Sequence, residues 1–249
     1  QVDIAKKLKP GENELHLVFD SPIARGMEEF NNFGIALPAP NDQSENGGMG
    51  TNRVSVFTRK AGYHYGWDWG PRFVTSGIWR DVVIEASNEM QIQDLFIQQD
   101  KIDQKEAKLT AKLRLNNIAK GSYRFKLINN NKIIGSLTAN VAQGNQSIEI
   151  PATLKNPNLW WPAGAGQQNL YSFEVQISRD DRLIACRSTT TGLRNIELVR
   201  EKDEQGESFF FKINDKPIFA KGANYIPNDN FLPRVTHADY EKVVADAVD

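Results

Sequence analysis

The sequence predicts a mainly β protein that ends in a strand, a loop and a helix, and three successive patterns along the chain support this prediction. Residues 1–87 alternate short apolar stretches with turns, and residues 88–191 contain several cleanly alternating strands. After residue 192 the pattern changes to a hairpin, an apolar strand and a helix start. We therefore expect two β-sandwich domains followed by the opening unit of an α/β fold.

In the first segment, Leu15, Leu17 and Phe19 recur with period two, which predicts a strand. A second strand is predicted over residues 78–86, with Ile78, Arg80, Val82, Ile84 and Ala86 on one face. Between them, residues 38–50 are rich in Pro, Gly and Asn and have no periodicity, so we expect a mobile loop there.

The central segment shows the clearest strands. Apolar residues alternate with charged or polar ones, and short turns separate one strand from the next. About a hundred residues of this pattern predict an antiparallel sandwich of immunoglobulin type. The alternating apolar positions are Leu109, Ala111, Leu113 and Leu115, then Tyr123, Phe125 and Leu127, then Tyr171, Phe173, Val175 and Ile177.

The last segment predicts a hairpin turning at residues 214–217, an apolar strand over 218–222 and a loop over 223–230. Thr236 and Asp239 have the spacing of a capping box, which predicts that a helix starts there. Because the chain begins within a strand pattern and stops within a helical one, we expect it to be part of a longer polypeptide.

Composition argues against several classes of function. The net charge is −1, with both signs interspersed, so nucleic acid and anionic membrane surfaces are not expected partners. No apolar run reaches the length that spans a bilayer. The single Cys186 excludes an internal disulfide framework and a cysteine-built zinc site.

Residues 60–80 have the highest concentration of candidate binding residues. In this sequence, aromatic residues flank one carboxylate, Asp68, which stands between Trp67 and Trp69. Indole faces stack on the C–H face of a sugar, and a fixed carboxylate accepts hydrogen bonds from its hydroxyls. We predict that Asp68 binds substrate and that Trp67 forms a stacking wall. The competing interpretations are a purely structural role for Asp68 and core packing for Trp67. Trp69 is predicted to lie in the core, and His64 to be a hydrogen-bonded structural residue.

Five motifs in order resemble the β-mannosidases of glycoside hydrolase family 2. The loop around Asp68 is similar to the signature of that branch, and the tryptophan pair near residue 160 is similar to the central domain of the wider family. The later motifs resemble the entry into the catalytic barrel and its first strand. They are RKA at 59–61 with GWDWGP at 66–71 and GIWR at 77–80, NLWWPAG at 158–164, GLRNIEL at 192–198, KGANYIP at 221–227 and RVT at 234–236.

The resemblance implies three parts: the end of a galactose-binding-like, jelly-roll-like sandwich at 1–87, an immunoglobulin-like sandwich at 88–191, and the first β/α unit of a TIM barrel at 192–249. It implies a retaining exo-hydrolase that removes terminal β-D-mannose from oligosaccharides with two glutamates and no cofactor. Both glutamates would follow Asp249 in the remainder of the barrel, so this chain should be inactive alone. Asn224 and Tyr225 would follow the first barrel strand and face the substrate, with Trp67 and Asp68 reaching the same pocket.

Other interpretations stay open from the sequence. Another family 2 hydrolase would be an exo-glucosaminidase, an endo-β-mannosidase or a β-galactosidase, and a non-catalytic carbohydrate-binding sandwich is the alternative of a different class. Glu28 and Glu29 are expected to be a solvated loop pair, while Asp229 would either line the site or make a loop hydrogen bond. A role in polysaccharide degradation suggests a periplasmic or secreted location.

Overall fold

The computed structural model describes residues 2–39, 42, 52–67 and 69–248. The chain divides into two compact units. The sandwich unit is Ile84–Ala223, and the terminal unit joins Gln1–Val83 with Asn224–Asp249. Of the predicted mobile loop at 38–50, residues 40, 41 and 43–50 lie outside the described residues.

Residues 90–191 of the sandwich unit form seven antiparallel strands in two sheets, one of three strands and one of four. This is the strand number and layering expected for an immunoglobulin-type sandwich, and the predicted alternating strands are confirmed. The strands are β1 Met90–Ile102, β2 Glu106–Asn117, β3 Gly121–Asn129, β4 Lys132–Val141, β5 Gly144–Lys155, β6 Tyr171–Arg179 and β7 Arg182–Thr191. The sheet orders are β1-β2-β5 and β4-β3-β6-β7.

Alternation along these strands places one face in a shared core. Leu113 and Leu115 of β2 are buried, as are Phe125 of β3 and Phe173 of β6, whereas the intervening Arg114 is exposed. Successive side chains of a strand point to opposite faces, so period two in the sequence produces one apolar and one solvated face. The core of the sandwich is therefore encoded locally, strand by strand.

Two-residue turns close the hairpins of the four-stranded sheet. Asn130 and Asn131 join β3 to β4 with φ of 47° and 60°, and Asp180 and Asp181 join β6 to β7 with φ of 49° and 59°. Both central residues of a type I′ turn need positive φ, which Asn and Asp tolerate better than other non-glycine residues. These turns match the twist of the strands and fix their register.

A small antiparallel sheet follows, with β8 Ile196–Val199, β9 Phe210–Ile213 and β10 Lys216–Ile218 in the order β10-β9-β8. Asn214 and Asp215 form the turn of the predicted hairpin, with φ of 50° and 66°. The apolar strand predicted over 218–222 is not formed, because β10 ends at Ile218 and Phe219 is 84% exposed. Every strand pair described after residue 192 is antiparallel, so the start of a parallel-stranded barrel is not shown.

The terminal unit begins with a helix that the sequence analysis did not predict, α1 Pro22–Phe33. Ser21 caps it by accepting from Ala24 N at 3.3 Å, and Gly34 ends it at φ 74°. A serine before a proline and a glycine after the last turn are sequence signals for such a helix.

This helix also corrects the interpretation of Glu28 and Glu29 as a loop pair. Both lie in α1 and form ion pairs with Arg25 one turn earlier. The spacings i,i+3 and i,i+4 bring those side chains to one face of a helix. The two carboxylates are therefore helix-surface groups.

Two predicted strands of the first segment, around 15–19 and 78–86, are not formed. Neither segment has a paired strand among the described residues, and their apolar side chains are exposed, Val18 by 88% and Ile84 by 72%. A period-two pattern becomes a strand only when its N–H and C=O groups find a ladder partner. The alternation was recognised correctly, but no described segment completes the ladder.

The second helix, α2 His237–Val248, starts where the capping box predicted it. Asp239 Oδ2 accepts from Thr236 N at 2.8 Å, and Asp239 N donates to Thr236 Oγ1 at 3.3 Å. Two of its apolar side chains are largely exposed, since Val244 is 63% and Val248 74% accessible. Neither α1 nor α2, the helices of the described ranges, is long and apolar enough to cross a bilayer.

Candidate substrate-binding loop

The aromatic loop, residues 62–73 of the terminal unit, is held in shape by its own backbone. A 3₁₀ turn spans Gly62–Tyr65, and Gly66 leaves it with φ 108°, which favours glycine. Trp67 N donates to Gly70 O at 3.0 Å, and Gly70 N donates back to Trp67 O at 3.3 Å. Phe73 N closes the loop on His64 O at 2.9 Å. Reciprocal bonds of this kind make a tight, self-supporting turn.

Tyr65 anchors the aromatic loop through its buried side chain. Its ring is fully buried and its hydroxyl bonds Thr58 Oγ1, while the guanidinium of Arg72 lies 5.5 Å from the ring centre. Burial raises the pKa of Tyr65 because the phenolate would lose its hydration, and the charge of Asp42 acts in the same direction. The hydroxyl therefore stays protonated and available as a hydrogen-bond partner.

Asp42 is the second anchor, and the sequence analysis did not identify it. Its side chain is completely buried, and Oδ2 accepts from Val54 N at 2.6 Å and from Ser55 N at 2.9 Å. Oδ1 lies 3.7 Å from Nη2 of Arg72, too long for a hydrogen bond but close enough for charge pairing. Asp42 thus connects Val54 and Ser55, which precede the aromatic loop, with Arg72 near the end of that loop.

The two described tryptophans of the motif have different environments. Trp67 is 39% exposed, whereas Trp69 is half-buried and packs on Tyr63 with ring centres 5.4 Å apart. An exposed indole on a fixed turn can stack on a ligand without paying to order a flexible side chain. The arrangement suits the roles predicted for Trp67 and Trp69. Asp68 lies outside the described residues, so its role in binding stays a prediction.

Asn224 and Tyr225 stay predictions as well. Both are exposed, Tyr225 by 50%, and they belong to the same unit as Trp67. The contacts that join their loop to the aromatic loop are made by residues further along, Asn230 and Phe231.

Asn230 and Phe231 are two further residues that sequence reasoning missed. Asn230 Nδ2 donates to Pro71 O at 2.9 Å, across 159 positions of sequence, and the ring of Phe231 stacks on Phe73 at 5.7 Å. The phenyl ring of Phe231 also lies 6.4 Å from the imidazole of His64. No local pattern links residues so far apart, and only the fold brings them together.

Asp229 makes the loop hydrogen bond that was one of its two interpretations. Oδ1 accepts from Phe231 N at 2.6 Å and from Nη2 of Arg234 at 2.7 Å. The bond from Arg234 is the main reason why the pKa of Asp229 lies below its ordinary value. Its carboxylate is engaged in holding its own loop.

His64 differs in part from its prediction. The ring packs against Tyr63 at 4.8 Å, but Nδ1 is buried without a hydrogen-bond partner among the described residues. Burial lowers the pKa of His64, and the positive charge of Lys60 lowers it further. The imidazole is therefore held by ring packing and not by a hydrogen bond to Nδ1 within the described part of the chain, and its structural role stays a prediction.

We also examined the described residues for a metal site and for a cavity. Within the described ranges no group of three or more His, Cys, Asp or Glu side chains is arranged to bind a metal ion. A cavity of about 470 Å³ in the sandwich unit is lined by residues 85–92 and 182–187. None of the predicted site residues borders that cavity.

Comparison with protein families gives two matches along the chain. Residues 1–80 match the glycosyl hydrolase 2 galactose-binding domain-like family, and residues 90–194 match glycosyl hydrolases family 2. The two matches follow each other in the order that the sequence motifs implied. The chain belongs to glycoside hydrolase family 2.

Two curated relatives are similar along almost the whole chain. β-Mannosidase B of Neosartorya fischeri and that of Aspergillus fumigatus are each 35% identical over 246 residues, or 97% of this chain. The chain spans only 28% of the length of these relatives.

Among solved structures, the β-D-mannosidase of Dictyoglomus thermophilum superimposes with a TM-score of 0.78 at 33% identity. The match covers 92% of this chain and 27% of that one. The exo-chitosanase of Amycolatopsis orientalis matches over 69% of this chain and 20% of its own, with a TM-score of 0.57 at 22% identity. At that identity the likeness shows the fold alone.

Proposed function

We propose that this family 2 chain is the front part of a retaining exo-β-mannosidase, which removes terminal β-D-mannose from oligosaccharides. The observation that supports this most is the identity of 35% to β-mannosidases over 97% of the chain, a span that includes the aromatic loop. The exposed indole of Trp67 on its closed turn adds a suitable surface for a sugar ring.

In the proposed enzyme, this chain binds and the following part of the polypeptide catalyses. Retaining hydrolysis needs two carboxyl groups about 5–5.5 Å apart, one as nucleophile and one as acid and then base. The proposal assigns both to glutamates beyond Asp249, in the remainder of the barrel. Residues 192–249 would then contribute its first β/α unit, for which the capped start of α2 after a long loop is the supporting feature.

Asp68 is proposed to accept hydrogen bonds from two hydroxyls of the terminal mannose, with Trp67 stacking on the ring. Asn224 and Tyr225 are proposed to face the same sugar. A charged hydrogen bond of this kind contributes about 1.5–3 kcal/mol, enough to select one arrangement of hydroxyls over another. Selection of mannose by this loop would explain why the binding carboxylate lies among aromatic side chains. A periplasmic or secreted location goes with this proposal.

The test is a hydrolysis panel on the full-length protein, using aryl β-mannoside, β-galactoside, β-glucosaminide and β-glucuronide. We expect activity on the mannoside alone. Asp68→Ala should lower kcat/KM at least about tenfold, equivalent to about 1.4 kcal/mol of transition-state binding. Asp81→Ala, which removes an exposed carboxylate outside the loop, should leave kcat/KM unchanged and serves as the control.

Each other result has a definite meaning. Activity on a different glycoside would keep the family and overturn mannose as the substrate. An active enzyme in which Asp68→Ala is harmless would remove the aromatic loop from the site. A folded full-length protein that hydrolyses none of the four would refute the proposed activity and favour a carbohydrate-binding protein.

A further inference from the structure

The side chain of Asn230, from a distant part of the sequence, contacts the end of the turn between Trp67 and Gly70. Asn230 Nδ2 donates to Pro71 O at 2.9 Å, immediately after the turn. Its Oδ1 lies where a side chain on Gly70 would begin, since a Cβ built on Gly70 would approach it to 2.8 Å. Gly70 is buried, so the amide of Asn230 fills the space beside a glycine that leaves room for it.

Asn230 is in turn held by its neighbours. Asp229 fixes the backbone of Phe231 and the side chain of Arg234, whose guanidinium lies 5.0 Å from the centre of the Phe231 ring. That ring stacks on Phe73, just beyond the turn, at an interplanar angle of 26°. Asn230 therefore lies on a loop that its neighbours brace.

We infer that Asn230 is a positioning residue, which sets the orientation of the 67–70 turn and thereby of the sugar-binding groups that this turn carries. The inference rests on the proposed function, since it assigns Asn230 to the same substrate site. The contacts that support it are made by Gly70, Pro71 and Phe73, which follow Asp68 in the chain. A displacement of about 1 Å in a group that orients substrate can cost up to about a hundredfold in rate, so a bond that fixes the turn should contribute to kcat/KM.

The inference makes a prediction that a general structural role does not. If Asn230 acts through the turn, its effect should become smaller once Asp68 is removed, because both changes then weaken the contacts that the same turn makes with the sugar. A residue that only stabilises the fold would lower activity by the same factor whether Asp68 is present or not.

The experiment is a double-mutant cycle in the full-length protein, with an aryl β-mannoside as the probe. Asn230→Ala is expected to lower kcat/KM about three- to tenfold, mainly through a higher KM, as for the loss of one hydrogen bond. Asn230→Asp keeps the shape of the side chain but loses the donor, so it should show a similar loss. It replaces the alanine variant if that variant folds poorly. Asn228→Ala, an exposed asparagine of the same loop, is the matched control and should leave kcat/KM unchanged.

In the Asp68→Ala background we expect Asn230→Ala to cause no further loss beyond twofold. An equal loss in both backgrounds would overturn the positioning role, as would wild-type kinetics in both Asn230 variants. Failure of the proposed function is distinguishable, because the wild-type protein itself would then not hydrolyse the mannoside.

Discussion

The sandwich unit and the terminal unit contain similar alternating sequence, yet only one of them turns it into sheet. In the sandwich unit the seven strands of residues 90–191 are all paired, and buried side chains from their two sheets form one continuous core. In the described part of the terminal unit, the buried hydrophobic residues are Ala39, Val54 and Tyr65. The difference shows that period two specifies a strand only where the same chain supplies the partner.

The terminal unit is instead held by specific polar and aromatic contacts. The buried carboxylate of Asp42 binds two backbone N–H groups, Tyr65 bonds Thr58, and Asn230 bonds Pro71. Such bonds depend on distance and direction, whereas apolar burial scales with area and tolerates small shifts. Substitutions should therefore act differently in the two units.

The largest effect is expected from Phe125→Ala in β3. This ring is fully buried in the sandwich core, and its removal should lower the free energy of unfolding by about 3–5 kcal/mol because it leaves a cavity. Native-state hydrogen exchange should show the loss in amides of β3 and β6 while α1 exchanges as before. Phe219→Ala, which removes an 84% exposed ring, is the control and should change exchange little. Equal acceleration in α1 would mean that the two units unfold together.

The next effect tests the terminal unit through Asp42→Ala. The change removes the acceptor for Val54 N and Ser55 N and leaves Arg72 without its buried countercharge. We expect a loss of about 2–3 kcal/mol, as for buried hydrogen bonds to a charged group. Hydrogen exchange should quicken over residues 52–65 and stay unchanged in β3. Asp81→Ala provides an exposed comparison, and equal exchange in both variants would contradict the anchoring role of Asp42.

The smallest effect concerns the cap of α1. Ser21→Ala removes the acceptor for Ala24 N and should lower the local stability of the helix by about 1 kcal/mol. Ser21→Gly should cost only a few tenths, because glycine is itself tolerated at this position. The measurement is amide exchange at the first turn of α1. Similar exchange rates in the wild-type protein and the alanine variant would show that Pro22 and packing, not the cap, start the helix.

Sequence reasoning succeeded where structure depends on neighbours in the chain. The strands β2, β3 and β6, the turn at Asn214 and the cap at Thr236 each follow from residues within a few positions. Helix α1 is also encoded locally, by Ser21, Pro22 and Gly34. The sequence analysis predicted strands and turns for this segment and did not use those three signals. That error was one of interpretation.

Sequence reasoning failed where structure depends on distant partners. Nothing local shows that the strands predicted at 15–19 and 78–86 find no ladder partner in the described residues. Nothing near Asn230 in the sequence indicates that its amide reaches Pro71. The segment around Asp42, rich in Pro, Gly and Asn, likewise gives no sign that this carboxylate is buried.

By itself the sequence determined the sandwich, its hairpins, the start of α2 and the family, because periodicity, turn residues and ordered motifs are local properties. The tertiary structure decided which alternating segments became strands and which side chains support the aromatic loop. Those outcomes require hydrogen-bond partners and packing surfaces that lie far away in sequence. The support of the loop by Asp42, Tyr65 and Asn230 is therefore visible only in the folded chain.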